Sequence, residues 1–204
     1  MTQLTGGIVL FGLIAQCYNL YMASYPTHAS VAALTCSLAA LGSYYLYFKY
    51  HHQYPYESFT THYLLSTLML FISWRISASI GMVGVTPLMC IASILTLFNY
   101  ILCARNDLKE QRLPHVNTLI HNTKLEWQLL FIRMVIGFIF IQHFTEKLFA
   151  GPEAQQVMLQ GFEQLGFTRP QQWLYIAGLI ELAGCFSIGC GFLTRLGAIG
   201  VTLY

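Results

Sequence analysis

The chain has 204 residues, of which 56% are hydrophobic and only 9% charged, with a formal net charge of +2 and a mean hydropathy of +0.56. A soluble domain carries roughly a quarter of its residues as charges, so this composition points to lipid as the solvent for most of the surface. The basic residues lie between apolar runs and form no clustered face, which excludes a nucleic-acid-binding surface.

Six apolar runs approach the roughly 20 residues that a spanning helix needs, and a seventh begins near the end. The expected fold is therefore an all-α transmembrane helix bundle of six full spans plus a truncated seventh. The first run covers Gly6 to Tyr25. No Lys or Arg precedes it and no small-residue cleavage site ends it, so it reads as a retained helix. The second runs from Ser30 to Phe48 and closes on Tyr44, Tyr45, Tyr47, Phe48 and Tyr50, an interfacial aromatic belt. The third, Tyr63 to Val83, and the fourth, Leu88 to Cys103, form an expected hairpin turned at Gly84 to Pro87.

A polar stretch with Arg105, Lys109, Arg112 and Lys124 comes next. It divides the chain into a four-helix region (1–104), a cytoplasmic linker (105–126) and a second helical region (127–204). The fifth span is Trp127 to Ala150 and the sixth Trp173 to Phe192. Between them, Glu153 to Leu165 puts Val157, Met158, Phe162 and Leu165 on one face, as in a helix lying at the membrane surface or capping the bundle. Arg195 opens the last run, which stops at Tyr204 after about half a span and reads as a truncation. Lys49, Arg105, Lys109, Arg112, Lys124 and Arg195 fall on one side, against Lys147 and Arg169 on the other. The positive-inside rule then places the N-terminus in the cytoplasm.

Charges within spans cost a few kcal/mol and turn inward toward partners. Arg75, Arg133 and Glu181 are such residues. Arg133, Gly137, Phe140, Phe144 and Lys147 make one helical stripe; Ala177, Glu181, Gly184, Ile188, Gly191 and Arg195 make another. Facing stripes predict a buried Arg133–Glu181 interaction, either a structural pair that fixes helix register or a polar lining for a proton relay or a quinone head group. Arg75, Lys147 and Arg195 are the other candidate polar positions, and Gly137, Gly184 and Gly191 the candidate helix-packing positions. Ala183, Ser187 and Gly191 add a small-xxx-small run read as ordinary packing. His143 reads as structural, and His51, His52 and His62 have no nearby Cys to complete a metal site, so no metal is expected. The six cysteines form no CxxC pair, and Cys185 and Cys190 point apart on one helix. No phosphate loop, nucleophile elbow or haem attachment motif occurs.

The order Arg133-x3-Gly137-x2-Phe140, Lys147-Leu148, Glu181-x2-Gly184 and Gly191-Phe-Leu-Thr-Arg195-Leu-Gly-Ala198 resembles the DoxX family of small bacterial membrane proteins over residues 129–204. That pattern usually has a small residue where Phe144 stands. The resemblance implies a helical bundle in the bacterial inner membrane whose first helix starts in the cytoplasm. It also implies a redox-associated subunit linked to the quinone pool, since some relatives look like subunits of a thiosulfate:quinone oxidoreductase and others like membrane partners of thiol-redox proteins. Quinone is the one cofactor implied, and a redox or periplasmic protein the partner beside the bilayer. The alternatives are a structural or assembly protein that docks a partner without catalysis and, behind it, a small-solute transporter, which would call for broken helices or a repeat.

Overall fold

The computed structural model describes residues 2–50, 53, 64–109, 124–189 and 193–203, with 2–3, 64, 104, 107–109, 124–131 and 134 described in backbone only. Every regular element among them is helical. In chain order these are α1 (Thr2–Tyr21), α2 (Thr27–Tyr50), α3 (Leu64–Ser79), α4 (Val85–Lys109), α5 (Lys124–Phe149), α6 (Pro152–Gln164), α7 (Pro170–Gly184) with a π-helical turn at Cys185–Gly189, and α8 (Thr194–Leu203). Four stretches, Leu4–Tyr21, Thr27–Tyr50, Val85–Cys103 and Pro170–Gly189, are long and apolar enough to cross a membrane. At 16 residues, α3 falls short of a full span, so the count of six spans and a part is not what these helices establish.

The chain divides into two compact units, residues 1–77 with 81–128, and residues 78–80 with 129–204. In the first, α1 packs against α2 and α4. Its outward positions are apolar: Leu10, Phe11, Ile14, Ile91, Ile94, Phe98 and Ile101 are all exposed. Its inward positions add to buried Val9, Leu13, Leu70, Ile76 and Met89 an unusual number of polar groups, among them Thr5, Gln16, Ser37, Ser66, Ser73, Thr96 and Asn99. Water would drive the reverse arrangement. In lipid, apolar surface costs nothing to expose, while hydroxyls and amides need partners inside, and small side chains let backbones approach.

Hydrogen bonds hold that interior together. Asn99 Nδ2 donates to Thr5 Oγ1 at 3.0 Å, joining α4 to α1. Gln16 Nε2 donates to Ser73 Oγ at 3.0 Å, Ser73 Oγ donates to the Ala33 carbonyl at 3.0 Å, and the Ser37 and Ser73 hydroxyls share a bond of 2.7 Å. Three helices thus meet at one serine. Gly12 faces the end of the Met89 side chain, which would have to move aside for a Cβ there.

Turns depart from the sequence expectation where glycine can do what its neighbours cannot. The α3–α4 connection is made by Gly81 and Gly84, both at positive φ. Pro87 lies inside the first turn of α4, where its missing N–H is not needed. Helix α4 also continues through Arg105 to Lys109, so the start of the polar linker is helical. At the end of α6, Gly166 takes φ +86. Its N–H donates to the Glu163 carbonyl, and the Phe167 N–H donates to that of Phe162. With the Phe162 and Phe167 rings 5.5 Å apart, this is a complete Schellman ending.

Candidate functional site

The second unit is built around the crossing of α5 and α7. Two glycines make that crossing close. A Cβ on Gly137 would lie 2.9 Å from the Gly189 Cα, and one on Gly178 would lie 2.7 Å from Leu148 Cδ2 and 3.2 Å from the Lys147 Cβ. Such distances are open only to glycine, so the two backbones meet at one end and Lys147 is pressed onto α7 at the other. The stripe Ala177, Glu181, Gly184 and Ile188 is buried. Phe144, 1% exposed, lies on α5 between these two contacts in sequence.

Lys147 sits in the last turn of α5, where its charge complements the helix dipole. Its Nζ donates to both carboxylate oxygens of Glu181, at 2.7 and 2.9 Å. Glu181 is 6% exposed and Lys147 is half-buried. The Gln155 side-chain amide donates to the Lys147 carbonyl at 3.2 Å, tying α6 to the end of α5. One residue earlier, Glu146 accepts from Gln142 at 3.2 Å, one turn back on the same helix.

Glu181 is therefore bound by Lys147 and not by Arg133, which is exposed. The register explains this. With Gly178 at Leu148 and Gly189 at Gly137, the level of Glu181 on α5 is near Thr145. Arg133 lies about 12 residues, or about 18 Å, further along, beyond any side chain's reach. Helix α7 begins well past the end of α5, and facing stripes alone do not fix that offset. Arg195 is also exposed, on α8. Arg75 belongs to the first unit, half-buried, with its guanidinium carbon 5.8 Å from the Trp74 ring centroid. Gly184 packs against Phe140 of α5 and Val201 of α8. Gly191 lies outside the described residues, as do His51, His52 and His62; His143 is exposed. Gly178 and Gly189 were not singled out in the sequence, although Gly178 stands one turn before Glu181 on the same stripe.

Residues 128–204 match the DoxX family model. Over these residues, called the DoxX segment below, the chain is similar to that family. DoxX is a membrane protein family, in keeping with the apolar helices described above. No curated protein and no solved structure matches the chain. Lys147, Glu181, Gly137 and Gly184 all lie inside the DoxX segment, as does the whole α5–α7 crossing from Gly137 onward. Chemically the site is a closed ion pair. One ammonium bridges both carboxylate oxygens, at 2.7 and 2.9 Å. Among the described residues no group of three or more His, Cys, Asp or Glu could hold a metal ion.

Proposed function

We propose that this chain is a bacterial inner-membrane subunit of a quinone-linked redox assembly, in which it supplies the membrane-embedded platform and a partner protein carries the electrons. Its N-terminus faces the cytoplasm, and the α5–α6–α7 side, with Arg169, faces the periplasmic partner. The observation that carries the platform role is the Lys147–Glu181 pair. The pair joins the last turn of α5 to α7 through both oxygens of a buried carboxylate, the arrangement expected of a contact that fixes helix register. The redox setting is supported by the DoxX match and by what that resemblance implies.

The alternative within the same setting gives Glu181 and Lys147 a direct part in quinone reduction. A charge-free double variant, Lys147→Met with Glu181→Met, separates the two. Membranes containing it are assayed for protein abundance and for thiosulfate-dependent quinone reduction in the presence of the partner. Normal abundance with normal reduction supports the platform. Normal abundance with reduction lost transfers the chemistry to the pair itself.

A further inference from the structure

The first unit contains a polar interior that the DoxX segment does not explain. Gln16 is 1% exposed, yet only one end of its amide is used: Nε2 bonds to Ser73 and Oε1 has no hydrogen-bond partner among the described residues. Exchanging the amide oxygen and nitrogen only moves the deficit, because Ser73 would then donate and Nε2 would be left over. The hydroxyls of Ser30 and Ser77, both fully buried, are likewise without a partner. Ser37, Ser93 and Thr96 behave differently and donate to carbonyls four residues back, the ordinary way for a helix to hide a hydroxyl from lipid.

These three groups converge. Ser73 touches Gln16 directly and reaches the Ala33 carbonyl. Ser77 is one turn on along α3, and Ser30 is about one turn back along α2. The two helices are antiparallel, since Ala33 and Ser37 meet Ser73 whereas Ala40 and Tyr44 line a cavity with Leu70 and Ser66. Both serines are therefore displaced about 5 Å toward the same end. Each polar atom left unpartnered at this depth forfeits the hydrogen bond that water gave it in the unfolded chain.

We infer that the space around Gln16, Ser73, Ser30 and Ser77 is a binding site for a small neutral molecule that both donates and accepts hydrogen bonds, namely water. Neutrality follows from the lining, which is amide, hydroxyl and carbonyl with no carboxylate to balance a cation. Dual character follows from the groups, since an amide oxygen needs a donor and a hydroxyl offers a proton. Small size follows from the packing, since Gln16, Ser37 and Ser73 already bond one another directly at 2.7–3.0 Å. Hydrated, the first unit has a wet seam inside an apolar shell.

The test is solid-state NMR on the full-length protein in lipid bilayers, measuring polarisation transfer from water protons to the Gln16 side-chain carbonyl. The expected result is build-up several-fold faster at Gln16 and Ser73 than at buried Leu13, one turn before Gln16 on α1. Build-up as slow as at Leu13 overturns the inference, as does polarisation arriving from lipid protons in place of water. A Gln16→Met variant with an otherwise unchanged spectrum should lose the fast transfer at Ser73, and retention there would also count against the site.

Discussion

Lys147 reaches from the last turn of α5 to the middle of α7 and holds Glu181 by both oxygens, at 2.7 and 2.9 Å. Removing one partner of a buried pair strands the other charge, whereas removing both leaves only a change of shape. Glu181→Gln and Lys147→Met should each destabilise the protein by about 3 kcal/mol, and the Lys147→Met, Glu181→Met double variant should recover most of that loss. Thermal unfolding in a mild detergent, with all four proteins side by side, reads the difference. Additive losses in the double variant would contradict a mutually dependent pair.

Gly137 and Gly189 touch backbone to backbone. An alanine at either position forces α5 away from the π-helical turn, and Gly137→Ala should cost about 1–3 kcal/mol. Gly161 in α6 has nothing within 4 Å of its would-be Cβ. There the same substitution should be neutral or stabilising by up to about 1 kcal/mol, because alanine is the better helix former. Comparing melting temperatures of the two variants separates packing from propensity.

Ser73 ties α3 to both α1 and α2, so Ser73→Ala leaves Gln16, Ser37 and the Ala33 carbonyl each one bond poorer. A loss of about 1–2 kcal/mol is expected. Ser93→Ala, whose hydroxyl bonds only the Met89 carbonyl on its own helix, should change little. Urea or detergent-titrated unfolding of the two variants checks the contrast.

The end of α1 repeats the α6 ending with the wrong residue. The Ala23 N–H donates to the Leu20 carbonyl and that of Ser24 to Asn19, but Ala23 holds φ +50, where a Cβ is strained. Ala23→Gly should therefore stabilise by about 1 kcal/mol, and Gly166→Ala should destabilise by a similar amount. Opposite shifts in melting temperature are the expected readout.

These comparisons show where the sequence was readable. Helix positions followed from the length of apolar runs, and α6 from its periodicity, because both are local properties of the chain. The inward stripe of α7 was legible for the same reason from Ala177 to Ile188, whereas Arg195, placed in the same stripe, is exposed. The partner of Glu181 was not, since it depends on how far α7 is offset from α5, and that is set by Gly178 and Gly189 contacts between segments some 30 to 50 residues apart. The α3–α4 turn was misplaced because Pro87 looked like a breaker, although a proline in a helix's first turn breaks nothing. The Gln16–Ser73 bond spans 57 residues of sequence and leaves no periodic trace.

The π-helical turn Cys185–Gly189 is best understood as a single added residue that the helix has absorbed. Its geometry rotates everything after it by roughly a quarter turn relative to a straight α-helix, and this rotation is what presents Gly189 to Gly137. Deleting one residue there would leave composition and hydropathy almost untouched while swinging the glycine off its contact. In this chain, positions before Cys185 and positions after Gly189 therefore keep different helical phase. A gap of one in this turn is then a change of helical face, with the spacing of Glu181 to the chain's last helix as its measurable trace.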